Sequence, residues 1–175
     1  MMRRTLTFAL FLVALVPVSN AFAQATRPIQ IALWKPAQIV NEERSIKGFR
    51  LNILYGVNQH VSGVDIGFVN VVERQFRGFQ LGVAGFVDED ARGWQANLLN
   101  VDNKNMQGLH TGIYNQAQTF RGLGLGVINI TDNLRGAQIG LVNITNYAHG
   151  LQIGLVNIIR TKEKLRFFPI VNWSF

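Results

Sequence analysis

The stretch RGAQIGLVNITNYAHGLQIGLVNII, residues 135–159, says nearly the same phrase twice. Gly-x-Gln-Ile-Gly-Leu-Val-Asn fills 136–143 and returns at 150–157. Aligning the chain on the opening glycine of that phrase gives further starts at Gly48, Gly63, Gly78, Gly93, Gly108 and Gly122, and a degenerate ninth at Leu165. The steps are 15, 15, 15, 15, 14, 14, 14 and 15 residues, so the pair is the clearest part of an array and the architecture is that of a repeat protein.

The columns of the array carry the secondary structure. Counting the glycine as position one, position five is Gly in six units (Gly67, Gly82, Gly112, Gly126, Gly140, Gly154), with Asn52, Asn97 and Pro169 in the others. Position eight is Asn in seven units: Asn70, Asn100, Asn115, Asn129, Asn143, Asn157 and Asn172. Positions two, four and six are nearly always apolar, while position three is polar in Asp65, Gln80, Gln95, His110, Gln138 and Gln152. Alternation with period two over about six residues is the mark of a half-buried strand. Two glycines per unit would each cost a helix about 1 kcal/mol relative to alanine, so helix is excluded. A polar bend follows each strand, as in Thr131-Asp132-Asn133 or Asp88-Glu89-Asp90, and a further apolar residue precedes the next glycine, as in Phe76, Met106, Phe120 and Leu134.

Two all-β architectures accept such a unit. In a β-solenoid of nine 14–15-residue coils, equivalent positions stack about 4.8 Å apart. That stacking gives the Asn column a purpose, a ladder of side-chain hydrogen bonds, and the glycines a purpose at tight corners. The alternative is an outer-membrane barrel of about ten strands, formed if the strand-like residues 29–34 join the nine units. The even spacing argues for the solenoid, because barrels alternate short turns with long loops. The tail argues for the barrel, because Phe167, Val171, Trp173 and Phe175 place apolar residues at alternate positions up to a terminal Phe.

Compartment is written at the other end. Arg3 and Arg4, an apolar run over 6–18 and the small residues of Ala21-Phe22-Ala23 form a secretory signal over 1–23, so that the mature chain begins at Gln24. The remaining divisions are an N-terminal strand or cap over 24–47, tandem repeats over 48–164 and a degenerate last repeat with C-terminal cap over 165–175. The chain has no cysteine, so no disulfide or lipid anchor is available and packing must hold the fold. A net charge of +7, still positive without Arg3 and Arg4, directs the exported protein toward anionic envelope surfaces. The partner expected there is an envelope protein or an anionic surface glycolipid, with the outer membrane within reach; nucleic acid is not expected in that compartment.

Motifs for chemistry are sparse. His60, His110 and His149 have no companions at metal-ligand spacing, and no cofactor is expected. His60, Ser62 and Asp65 are residue types of a hydrolase triad, yet residues this close on an extended strand do not converge. Asp88-Glu89-Asp90 reads as a polar turn, lacking the glycine-bearing loop of a calcium site. Gly122-Leu123-Gly124-Leu125-Gly126 falls within the repeat, with Gly124 in the Gln column and no helix after it to receive a phosphate. What remains is a surface. If positions two, four and six face inward, then Gln80, Gln95, His110, Gln138 and Gln152 form a flat polar strip between glycines, a candidate docking platform.

The Gly-x-Gln-x-Gly-x-x-Asn units, the segment Gly48-Phe49-Arg50-Leu51-Asn52 with Tyr55-Gly56, and the closing Phe168-Pro169-Ile170-Val171-Asn172-Trp173-Ser174-Phe175 resemble the bacterial surface-repeat-containing proteins, over about 29–175. That resemblance implies an envelope location and a repeat architecture, and it brings no catalytic or binding residues. Some such relatives carry the label polyhydroxyalkanoate synthase, an enzyme whose cysteine nucleophile has no counterpart here. The expected function is therefore a non-enzymatic structural or interaction role in the cell envelope, with a small outer-membrane pore or anchor as the alternative.

Overall fold

Eight glycine-headed units stack as the coils of a β-solenoid in the computed structural model, which describes residues 26–175 apart from residue 36. The signal expected over 1–23, and the mature start at Gln24, lie outside the described residues. The strands are β1 (Arg27–Trp34), β2 (Ala37–Gln38), β3 (Ile46–Val87), β4 (Asp90–Ile139), β5 (Val142–Ile159) and β6 (Phe167–Ser174), ordered β2-β1-β3-β4-β5-β6 in one sheet. A straight strand of 50 residues such as β4 would reach about 165 Å. Instead the chain turns once per unit and pairs with itself, one unit on.

Register shows the coil directly. Gly78 lies opposite Gly93 and Gln80 opposite Gln95, in parallel. Gly136 lies opposite Gly150 and Asn129 opposite Asn143, also in parallel. An up-and-down barrel requires antiparallel neighbours, so the barrel alternative is excluded by this pairing. The head glycines turn the corner: all eight, from Gly48 to Gly150, have φ between 129° and 159°, a region that side chains with a Cβ rarely enter. Position five needs glycine for another reason. A Cβ at Gly140 would lie 2.1 Å from the carbonyl oxygen of Gly126 in the coil beneath.

The ninth unit is not a coil. β6 runs antiparallel to β5, with Gln152 opposite Asn172 and Leu151 opposite Trp173. Asn172 is thus aligned with the position-three column, and its place in the Asn column is corrected. The reversal follows a loop in which Lys162 Nζ donates to Asn172 Oδ1 (3.0 Å) and to the carbonyl of Trp173 (2.8 Å), while Arg166 Nε donates to the carbonyl of Lys162 (2.7 Å). At the opposite end, β1 stacks in parallel on the first coil and the short β2 folds back antiparallel to β1. Both ends of the stack therefore close on a reversed strand, which removes the pattern that a further coil would copy.

The apolar core occupies only part of the interior. It is built from position ten (Val57, Val72, Val87, Ala117, Ile159) and from the second residue before each glycine (Val61, Phe76, Ala91, Met106, Phe120, Leu134), all buried. The rest of the interior is polar.

Candidate interaction surface

The polar column points inward. Gln80, Gln95 and Gln152 are 0% exposed, and His110 and Gln138 are 1% exposed. The proposed outward strip of Gln80, Gln95, His110, Gln138 and Gln152 is therefore corrected: these side chains form an internal ladder, closed to a partner. The physical reason lies in the coil spacing. An amide carries both donor and acceptor, so identical amides one coil apart satisfy one another and can be buried at little cost.

The ladder starts with a charge pair. Arg50 grips Asp65 in the next coil through Nε to Oδ1 (2.7 Å) and Nη2 to Oδ2 (2.6 Å), both residues fully buried. Gln80 Nε2 donates to Asp65 Oδ2 (2.9 Å), and Gln95 Nε2 donates to Gln80 Oε1 (3.3 Å). His110 Nε2 then stands 2.6 Å from Gln95 Oε1 and 2.6 Å from Asp102 Oδ2, close to two acceptors at once. At Gly124, which carries no side chain to continue it, the ladder stops, and the ring of Phe120 lies tilted against His110 with centroids 5.1 Å apart. It resumes where Gln152 Nε2 donates to Gln138 Oε1 (2.9 Å).

The Asn column behaves as the spacing predicts. Asn100, Asn115, Asn129 and Asn143 each donate to the Oδ1 of the next Asn at 2.8 Å, ending at Asn157. Where one unit departs from the pattern, its neighbour compensates. Gly85 stands at position eight in place of Asn, and the space is filled by Gln80 and by Asn97, which stands at position five in place of Gly. Asn97 Nδ2 donates to Gln80 Oε1 (3.0 Å) and Asn100 Oδ1 (2.7 Å), rejoining the two ladders.

Residues singled out for chemistry are absorbed into this scaffold. The carboxylate of Asp65 is held by Arg50, Asn52 and Gln80, so it does not orient His60. The acidic bend stacks on the bend of the next coil, with Asp88 accepting from Asn103, Glu89 from Lys104 and Asp90 from Asn105. His149 lies at the end of the stack, its ring edge-on to Phe175 at 6.0 Å. Among the described residues no three of His, Asp and Glu gather as a metal would require, and no helix is long and apolar enough to cross a membrane.

With the polar column inside, the apolar positions are outside. Position six is exposed in every coil: Ile53, Phe68, Val83, Leu98, Ile113, Val127, Leu141 and Leu155, at 36–67%. Positions two and four lie beside it on the same outer face, including Phe49, Val64, Leu81, Trp94 and Ile139. The face continues past the coils at both ends. Ile29 and Ile31 of β1 flank Phe49 and Leu51, and Trp173 and Val171 of β6 flank Leu151 and Ile153. Ten rows at about 4.8 Å, each about 13 Å wide over five residues, give a flat footprint of roughly 600 Å². The side chains standing on it expose more area than that, which makes the face larger than the patches a monomer usually leaves bare.

A second column borders this face. The residue before each glycine is Lys47, Ser62, Arg77, Arg92, Gln107, Arg121, Arg135 and His149 in turn. Arg77 pairs in register with Arg92, and Arg135 with His149. Among the described residues Arg77, Arg92, Arg121 and Arg135 are exposed and none joins an ion pair. Each is one glycine away from the first outward apolar residue of its coil, as in Arg77-Gly78-Phe79 and Arg92-Gly93-Trp94.

These features define a parallel β-solenoid with an amide-laddered interior, an apolar outer face and a basic rim. No family model, no curated protein and no solved structure matches the chain. The surface was missed because alternation separates two faces without saying which is inside. One signal was available: Arg50 and Asp65 place opposite charges in one column of adjacent units, which marks that column as stacked, though an exposed column can pair charges too, as Glu89 and Lys104 do.

Proposed function

We propose that the protein is a non-enzymatic, exported component of the bacterial cell envelope with a structural or interaction role. The carrying observation is the ten-row apolar face. A face of this size and regularity is a cost to a free chain and a benefit only when covered, which makes contact its purpose. The signal-like residues 1–23 and the resemblance to surface-repeat proteins supply the compartment. The titratable residues in the interior are engaged in ladders and ion pairs that fix coil to coil, a use that competes with catalysis.

Expression of the full chain in a Gram-negative host, followed by fractionation and mass spectrometry of the N-terminus, tests this reading. The expected product begins at Gln24, is recovered with the envelope and migrates identically with and without heating. Stable protein that retains Met1 in the cytoplasm overturns the compartment. Leu81→Gln, Leu98→Gln and Ile113→Gln together should reduce retention in the envelope fraction, and unchanged retention overturns the role of the face.

A further inference from the structure

The apolar face and its arginine border belong together, and the geometry points to one occupant: we infer that the protein lies flat on the surface of an anionic phospholipid leaflet. This deepens the proposed envelope role and rests on it for the compartment, though not for the physics. Three observations carry it.

The face has the chemistry of an interfacial anchor. It is flat, one residue deep and framed by hydrogen-bonded backbone, so it can enter the headgroup boundary without exposing unpaired polar groups to lipid. Two of the three tryptophans in the chain, Trp94 and Trp173, sit on it, exposed at 44% and 51%. Indole, apolar with one polar N–H, favours the membrane–water boundary.

The border has the matching charge. Arg77, Arg92, Arg121 and Arg135 repeat at the coil spacing along one side of the face, with Lys47 and His149 toward its ends. Guanidinium pairs with phosphate in a forked geometry, and a row of them next to apolar side chains meets headgroups at the depth where those side chains meet acyl chains. Two recesses run along the row. One of about 230 Å³ is lined by Arg77, Arg92 and Arg121, with Asp90 also at its wall, and one of about 390 Å³ is lined by Arg121, Arg135 and His149. Asp90 is already engaged by Asn105.

The rival occupant, a second copy of the chain, fits less well. Two copies face to face would leave the arginine rows without counter-charge, since Arg77, Arg92, Arg121 and Arg135 join no ion pair among the described residues.

The test is co-sedimentation with vesicles, using the chain as recovered from cells with its N-terminus identified. Vesicles of phosphatidylglycerol with phosphatidylethanolamine are compared with vesicles of phosphatidylcholine. Binding to the anionic vesicles is expected to be more than tenfold tighter, to weaken with salt and to shift tryptophan emission to the blue. The variant Arg77→Gln/Arg92→Gln/Arg121→Gln/Arg135→Gln, all at exposed positions, should fall to the phosphatidylcholine level with an unchanged circular dichroism spectrum. Leu98→Gln/Ile113→Gln should bind neither. Equal binding to both vesicles, or full binding by the arginine variant, overturns the inference. So does absence of vesicle binding together with a concentration-dependent dimer in sedimentation, which assigns the face to a second copy. A chain held in the envelope fraction that ignores vesicles rejects the lipid and keeps the proposed function; a chain that binds anionic vesicles but stays cytoplasmic with Met1 does the reverse.

Discussion

The four coils headed by Gly48, Gly63, Gly78 and Gly93 have 15 residues, and the three headed by Gly108, Gly122 and Gly136 have 14. The extra residue sits in the bend, where 73–75, 88–90 and 103–105 give way to 118–119, 132–133 and 146–147. The longer bends carry charge that pairs from coil to coil, as Glu89 does with Lys104. The interiors differ in the same sense. The first half is held by the buried Arg50–Asp65 pair and by amides that improvise around Gly85 and Asn97, while the second half runs an unbroken Asn ladder from Asn100 to Asn157. Regular columns let any coil rest on any other. Irregular ones make a side chain depend on one particular neighbour.

That contrast can be broken by removing Asp65. Asp65→Leu leaves the Arg50 guanidinium buried without its counter-ion and is expected to destabilise by about 3–5 kcal/mol. Pairing it with Arg50→Met should recover most of the loss, and chemical denaturation of the single and double variants reads both. A double variant as unstable as the single one would mean that the ion pair is not the keystone of the first half.

In the second half the strongest perturbation is steric. Gly140→Val places its Cβ against the backbone of Gly126, 2.1 Å away, and should cost about 3 kcal/mol by forcing two coils apart. An unchanged melting temperature would show that the coils separate freely. Next in size is Asn129→Ala, which strips Asn143 Oδ1 of its donor and Asn115 Nδ2 of one acceptor, for about 2 kcal/mol. Asn70→Ala, outside the unbroken run, should cost less. Equal losses would erase the distinction between the halves.

The smallest effect is a pH slope from the first half. Burial, with Arg74 nearby, lowers the pKa of His60 below its ordinary 6.5, against a weaker opposing pull from Glu89. The unfolded chain then takes up the proton first, so this contribution to stability is present above pH 6.5 and is lost as pH falls through the lowered value. His60→Gln should flatten that part of a melting-temperature profile, and a profile identical to the parent chain's would remove His60 from the account.

The array, its coil spacing and the Asn ladder were legible in the sequence, because stacking turns spacing into contact; the glycines were read as corner residues, which holds for the head column, whereas those at position five are required by close approach of the coil beneath. Residues such as Phe76, Met106 and Leu134, noticed only as a recurrence before each glycine, proved to be the apolar core. The sense of the sheet was not legible. Gln80 and Leu81 alternate whichever of them points inward, and the usual preference for apolar interiors fails where amides one coil apart bond to each other. Direction was hidden in the same way: β6 alternates like a coil, yet the loop before it returns the chain antiparallel. Phe175, the last of the alternating apolar residues of the tail, is 84% exposed, so its loss should cost less than the ~1.5–3 kcal/mol of a buried aromatic side chain.

Stacking in register also governs how the chain reaches its native state. Successive coils touch residues only 14 or 15 positions apart, so the loop that must close for each new contact is short and of constant length. Folding can therefore nucleate at any adjacent pair of coils and advance one coil at a time, as in other one-dimensional arrays. β6 has no template until β5 is in place, so it docks only after the last coil has formed, whichever end the stack grows from.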